Sequence, residues 1–479
     1  MKLYKLFNLI ILTIILLSST SCDDWLTVLP ETKVHSDKLL SDQKGYQDAV
    51  IGLYLKLGSK ELYGQELTMK TPDGLAQYYA YSIEDELFDL VNYDFERTST
   101  DNTITSIWSS SYNLIANCNN ILTQLEDVDD DVFDGNMKDV LTYQVLTIRS
   151  LAHFDLFRLF HAPYVANKDF LGIPYVKGLS LELTEQSTSE QVVSLVLDDL
   201  KKAYELSKAT DPILPDNPQQ DFEYMKEKTL YINHYAITGL LARVYMYINN
   251  NEQALKYAKE ILDEDRFNLT HAQDVLPEKD FAFFDEVLFG VHVSKIDEYT
   301  RLDLFKTDTE IMKGLPIADL TNFYAPDDLR LIHWFKSGGS AWAPHSIVKK
   351  YNRTDKESEL VSFTKPPMVP IIKIGEIMLI ASEATAKLST VADGLQILND
   401  FQSLRTGKVS EAVDMLGFMS EIENEYRREF YGEGQMFYML KRINKQNVNF
   451  RNMNVEMNTS NNFLPLPKSE VQFGGRKTN

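Results

Sequence analysis

The 479-residue chain has only two cysteines, Cys22 and Cys118, which rules out a small fold stapled by a disulfide framework. Positive charge is also scarce: 48 Lys and Arg stand against 70 Asp and Glu, for a formal net charge of −22. A surface of that sign repels phosphate backbones and gives anionic lipid nothing to attract, so no nucleic-acid partner and no polybasic membrane attachment are expected. The eight histidines are scattered, and no HExxH, GxSxG, P-loop or CxxC pair occurs. Zinc hydrolase, serine esterase, nucleotide and redox chemistry therefore each lack their first requirement. The acidic run 126–131 invites calcium, but an EF-hand loop counted from Asp127 places Val132 where Gly is needed and Lys138 where Glu is needed. It reads as a solvated loop, and no metal or cofactor is expected. Carboxylate pairs suited to glycoside hydrolysis occur throughout so acidic a chain and decide nothing, whereas the missing β/α alternation counts against the usual barrel hydrolases.

Long apolar runs are equally few. The single strong one, Leu6 to Leu17, follows Lys2 and Lys5 and precedes Ser18-Ser19-Thr20-Ser21-Cys22, the order of a secretory signal. As a helix it would cover about 18 Å, short of the roughly 30 Å hydrocarbon core. The small residues before Cys22 resemble a bacterial lipobox. That resemblance implies a signal peptide over 1–21 and a Cys22 that becomes the acylated N-terminus. Cys118 lies on the stripe Trp108, Tyr112, Ile115, Cys118, Leu122 and reads, with Trp108, as a buried hydrophobe.

What is present is helical periodicity. With 44% hydrophobic and 11% aromatic residues the chain is an ordered globular protein of about three domain-sized units, or one large fold with insertions. Apolar residues recur at helical spacing over roughly 43–57, 102–126, 137–160, 188–207, 231–249, 252–264, 371–388, 391–404 and 417–442. Alternating strand patterns are limited to Phe284–Val293 and Ser346–Tyr351. Leu241, Ala242 and Tyr245, followed by Ala254 and Ala258 across the turn Asn249-Asn250-Asn251, give the small/large alternation of a tetratricopeptide helix pair. Residues 375–405 look like a degenerate copy, and 102–126 with 137–160 like a further pair. The expected fold is mostly α with minor β. Two irregular regions interrupt it, 63–105 and 265–370, the second holding the Gly-rich Ser337-Gly338-Gly339-Ser340. Long irregular stretches in a compact fold are usually functional surfaces.

Six motifs in order carry a family resemblance: Cys22-Asp23-Asp24-Trp25-Leu26-Thr27-Val28-Leu29-Pro30; Gly45-Tyr46 to Leu53-Tyr54; Trp108-x3-Tyr112-x2-Ile115-x2-Cys118-Asn119; Arg149-Ser150-Leu151-Ala152-His153-Phe154; Glu376 to Ala384; and Glu425-Tyr426-Arg427-Arg428-Glu429-Phe430-Tyr431-Gly432-Glu433-Gly434-Gln435. Together they resemble the SusD/RagB outer-membrane lipoproteins of the Bacteroidota. The resemblance implies a SusD-like helical fold with tetratricopeptide-type helix pairs and an irregular ligand-facing region, and a surface lipoprotein of the outer membrane. It implies capture of an oligosaccharide for a SusC-like TonB-dependent transporter. It suggests an N-terminal region over 22–230, the helix pair over 231–264 and a C-terminal region with ligand-facing loops over 265–479.

Because sugar C–H faces stack on aromatic rings, the loop aromatics Trp342, Trp334, Tyr299, Tyr81 and Tyr93 are the expected ligand contacts. In the stretch 423–429 the pairs Glu423/Arg427 and Glu425/Arg428 read as helix support rather than as a site. The expected protein is a binder and not an enzyme; a glycan-processing enzyme, or a transporter lid with peptide or other non-glycan cargo, are the alternatives. Since more than one acyl chain makes an anchor effectively permanent, Cys22→Ala should move the protein from the membrane to the soluble fraction, and fractionation after a salt wash checks it.

Overall fold

A computed structural model of the chain describes residues 39–79, 87–180, 182–217, 225, 227–264, 266–271, 275, 280–304, 317–340, 343–351, 365–407, 409–450, 453–457 and 462–478. Helix α1 (Gln43–Leu57) opens where the Asp42 carboxylate accepts the Gly45 N–H at 2.8 Å, an N-cap that satisfies one of the orphan donors of the first turn. Short helices α2 (Thr71–Leu75) and α3 (Phe88–Val91) lead to the long hairpin of α4 (Thr98–Asp127) and α5 (Met137–Phe160). Then follow α6 (Ser189–Thr210), which starts with a full capping box from Thr188 and Gln191, α7 (His234–Tyr247) and α8 (Asn251–Leu262). Each of α4 to α8 packs on its predecessor. The turn between α7 and α8 uses Asn249 at φ +61° and Asn250 as the N-cap of α8. Ala242, Ala254 and Ala258 are completely buried.

The irregular region contributes β1 (Val287–His292), α9 (Ile317–Phe323), α10 (Leu329–Trp334), β2 (Phe335–Ser340), β3 (Ala343–Val348) and β4 (Met368–Lys373). The chain then returns to helices α11 (Ile374–Leu388), α12 (Val391–Thr406), α13 (Met415–Glu429) and α14 (Gln435–Arg442), and ends with hairpin strands β5 (Asn447–Phe450) and β6 (Met453–Glu456) and α15 (Lys468–Gln472). Helix α11 packs on α8, so the two helical blocks form one stack across the irregular insertion. The α11/α12 pair is very close: a Cβ on Gly394 would lie 2.5 Å from that of Ala386, and Ser382 Oγ donates to the Gly394 carbonyl at 2.8 Å. Among the described residues no helix is long and apolar enough to cross a membrane.

The mostly α expectation is met, and three local readings are corrected. The expected helix over 417–442 is two helices, broken where Gly432 and Gly434 take φ near +77° and +76° and give their N–H groups to the buried Asp73 carboxylate at 2.7 and 3.0 Å. The Gly-rich segment 337–340 is strand β2, paired antiparallel with β3 in the register Ser337↔Ser346 and Ser340↔Ala343. Strand β4 lacks alternation because all six residues are buried, and it pairs antiparallel with β1, Val291 opposite Val369. Pro370 is tolerated because the sheet is only two-stranded, so its missing N–H can face away from the ladder.

The motif residues of α4, α5 and α11 prove to be scaffold. Arg149 grips both oxygens of Asp199 (2.8 and 2.9 Å) and donates to Asn119 Oδ1 (2.8 Å). Asn119 in turn donates to the Val176 carbonyl, while His153 accepts the Val176 N–H through Nε2, both at 3.0 Å. The other ring nitrogen of His153 lies 3.0 Å from the Arg149 carbonyl, so Nδ1 carries the proton of a neutral ring, and burial pushes its pKa down to about 3. Glu376 pairs with Arg243 of α7, and Glu383 with Arg442 of α14. Cys118 is buried, and burial pushes its thiol pKa far up, as befits a small apolar filler. Because Ala242 is completely buried and Gly394 has no room for a Cβ, Ala242→Leu and Gly394→Val should each lower stability by about 1–3 kcal/mol, read as a fall in thermal midpoint with ligand affinity unchanged in the folded fraction.

Candidate functional site

Three of the five expected aromatics, Trp334, Tyr93 and Tyr299, fall among the described residues. Trp334 is fully buried at the end of α10, packed on Phe283 (ring centroids 5.3 Å apart) with Lys350 Nζ 3.8 Å from its ring centre. It is a core residue, because the Asp328 cap starts α10 so that its last residue turns inward. Tyr93 is also buried, its hydroxyl donating to the Leu75 carbonyl at 2.8 Å. Tyr299 is half-buried, and its carbonyl accepts from Gln65 Nε2 at 2.6 Å. Tyr81, Trp342 and Cys22 lie outside the described residues.

A charged cluster at the heart of the molecule leads to a different place. Glu429, at the C-terminal end of α13, is fully enclosed; Arg330 of α10, Arg405 of α12 and Lys373 of β4 contact its carboxylate at 2.9–3.2 Å. Arg330 also binds both oxygens of Asp328 (2.9 and 2.8 Å) and Glu425 Oε1 (2.6 Å), while Arg405 grips Glu286 (2.8 and 2.6 Å). Lys373 and Lys350 share Glu433. Burial alone would raise the pKa of Glu429, but Arg405, Lys373 and Arg330 outweigh it and hold the carboxyl well below the usual range. Glu425 is likewise lowered, Arg330 and Arg428 prevailing over burial.

The outer edge of this cluster opens into a cleft of about 330 Å³ between α9, α12 and α13. Arg428 spans it: Nε donates to the Phe323 carbonyl (3.1 Å), Nη1 to Glu425 Oε2 (2.9 Å), and the guanidinium lies 5.2 Å from the Phe323 ring centre. Gln402 Nε2 donates to the same Glu425 oxygen at 2.9 Å. Ser410 Oγ is 2.9 Å from both Gln402 Oε1 and Glu421 Oε2, and its single proton can serve only one of them. Asn322 and Phe323 form the opposite wall with the edge of Tyr324, whose hydroxyl donates to the Arg428 carbonyl at 2.9 Å. An aromatic ring beside an amide, a hydroxyl, two carboxylates and a guanidinium is chemistry suited to a polyhydroxylated ligand.

Sequence reasoning placed no site on 423–429. The Glu425/Arg428 pair forms as expected, yet both residues line the cleft. In the other expected pair Glu423 acts on Arg427 through its charge, while it binds Lys445 directly at 2.7 Å and Arg427 donates to the Ala76 carbonyl at 2.8 Å. Phe323, Gln402, Ser410 and Glu421 carry no motif, and only the Glu-x-x-Arg spacing could have pointed here.

Two family profiles match the chain: one described as "Starch-binding associating with outer membrane" over residues 24–246, and one described as "SusD family" over 338–473. The chain belongs to the SusD/RagB family. Solved structures of SusD type share its fold. A SusD superfamily protein from Bacteroides thetaiotaomicron is 22% identical, with 91% of this chain and 99% of that one covered at a TM-score of 0.74. A SusD-like carbohydrate binding protein from Bacteroides vulgatus is 18% identical, with 85% and 84% covered and a TM-score of 0.68. Surface glycan-binding protein A from B. thetaiotaomicron is 17% identical, with 92% and 99% covered and a TM-score of 0.69. No curated protein shows significant similarity to the chain. In this SusD-family protein the α12 and α13 side of the cleft lies inside a matched stretch, while Asn322, Phe323 and Tyr324 lie between the two.

The cluster generates a prediction about acid. Glu429, Glu425 and Glu383 have folded-state pKa values below their unfolded ones, Glu383 at about 2, where Arg442 and Lys387 overcome its burial. Their stabilisation is complete above about pH 5 and is lost as pH falls through the folded values. Denaturant titrations stepped down from neutral pH should show this loss, and Glu383→Gln should flatten it. Arg330→Met should cost roughly 3–5 kcal/mol by leaving buried carboxylates unpaired, against about 0.5 kcal/mol or less for breaking the exposed Lys44–Asp48 pair.

Proposed function

We propose that this SusD-family protein is a non-catalytic glycan-binding lipoprotein, anchored through Cys22 at the outer membrane, that captures an oligosaccharide and passes it to a SusC-like TonB-dependent transporter. The observation that carries the reading is the cleft of about 330 Å³, where the Phe323 ring stands beside the polar groups of Asn322, Gln402, Ser410 and Glu421. The names of two fold neighbours, a SusD-like carbohydrate binding protein and a surface glycan-binding protein, agree with it. Binding without turnover fits the state of Glu425. A glycosidase acid needs a raised pKa, whereas Glu425 is committed to Arg330, Gln402 and Arg428 and is lowered. The wall built from Asn322 and Phe323 falls outside both matched stretches, so ligand choice belongs to this chain's own residues.

A panel of neutral oligosaccharides titrated calorimetrically tests the proposal. If stacking on Phe323 supplies about 1–2 kcal/mol, Phe323→Ala should weaken binding about five- to thirtyfold with the thermal midpoint nearly unchanged. Trp342→Ala tests the loop aromatic in the same way. Loss of affinity on Trp342→Ala alone would move the site there, and sugar release on incubation would make the protein an enzyme.

A further inference from the structure

Sharing no residue with this cleft, α1 and α4 line an open groove of about 430 Å³ with a mostly apolar lining that includes Leu39, Ala49, Gly52, Leu53 and Ile121. Asp48, Lys56, Asn117 and Asn120 are also on the groove, and exposed apolar residues stand in it and beside it. Leu39 is 50% exposed, Leu55 in the next turn beyond Gly52 is 66% exposed, and a Cβ built on Gly52 meets nothing within 4 Å. Leu39 is also the first described residue, so the chain arrives at the groove from residues 22–38. Those residues carry six charges, but most of their apolar members are gathered in one run instead of scattered along a solvated leash. They contain no glycine and carry Trp25, Leu26, Val28, Leu29 and Val34 within a short stretch. Leu29 is ten residues from Leu39, a reach of up to about 33 Å, ample for a chain that folds back onto the groove beside its own point of entry.

We propose that this groove seats the Trp25-Leu26-Thr27-Val28-Leu29 segment of the same chain. An apolar segment and an apolar groove joined by a short tether meet at high effective concentration, which favours this occupant over a second copy. The consequence is mechanical. A free leash from residue 22 to 38 would reach about 55 Å when extended, whereas a seated one leaves only the few residues before Trp25 between the N-terminal attachment point and the body. The body is then held close against the membrane, a consequence that rests on the proposed anchoring through Cys22.

Hydrogen exchange on the chain beginning at residue 22, with Cys22→Ser to remove the thiol and the lipid, tests the proposal. The amides of Leu26 to Leu29 should exchange at least about tenfold more slowly than in a free peptide of residues 22–38. Gly52→Trp, which fills the groove, should return them to the peptide rate without lowering the thermal midpoint. Gly52→Gln, a substitution that favours the helix and puts a polar chain in the groove, is the second variant should the first fail to fold. Peptide-like exchange in the unsubstituted chain overturns the proposal, as does protection that survives both variants. Protection found only at concentrations where sedimentation shows a dimer assigns the groove to a second copy, and protection found only with phosphatidylethanolamine vesicles assigns the segment to the membrane; either result overturns it.

Discussion

Glu429 is a negative charge sealed in the protein interior, and four segments of chain are arranged so that it can stay ionised there. Taking a carboxylate and its partners out of water costs several kcal/mol per ion, and the cost is recovered only when geometry is good and every remaining donor is satisfied. Every guanidinium nitrogen of Arg330 and Arg405 has a carboxylate partner, and these two with Lys373 come from α10, α12 and β4 while Glu429 comes from α13. An apolar contact among the same four elements would tolerate sliding. Bidentate grips such as Arg330 on Asp328 and Arg405 on Glu286 are directional and fix the angle as well as the distance.

The same cluster reaches in two directions. Inward, Lys373 and Lys350 meet Glu433 in the turn after α13, and Lys350 caps the face of Trp334. Outward, Arg330 holds Glu425, and Glu425 holds Arg428 and Gln402 at the wall of the cleft. Polar groups that would meet a ligand are thus already oriented by partners that no ligand has to supply, which lowers the ordering cost of binding. The division of labour is visible in the family match: the ion-paired side of the cleft lies within the stretch shared with SusD proteins, and the Asn322 and Phe323 side does not.

Much of the scaffold was legible in the chain. The bounds of α1 at 43–57 and α5 at 137–160 agree with the helical periodicity, because a 3.6-residue repeat and a local cap are properties of neighbouring residues. Trp108 and Cys118 sit in the core where their stripe placed them. The break after Glu429 was not legible, because Gly432 and Gly434 are held by Asp73, some 360 positions earlier. The apolar context Ile332-His333-Trp334-Phe335 leaves Trp334 open between core and ligand contact, and its burial is decided by Phe283 and Lys350 arriving from other segments.

By itself the sequence determined the class of fold, the helix pairs, the family and the absence of metal, thiol and nucleotide motifs, since each follows from spacing along the chain or from residue type. Only the tertiary structure decided that the motif acids Glu376, Glu383, Glu425 and Glu429 are buried ion-pair partners, and that Phe323, Gln402, Ser410 and Glu421 share one cleft. The reason is physical. Whether a charge supports a helix, stabilises a core or faces a ligand is set by what lies within about 4 Å of it, where Coulomb and hydrogen-bond energies are large. For Arg428 that neighbour is Phe323, 105 residues away in the chain.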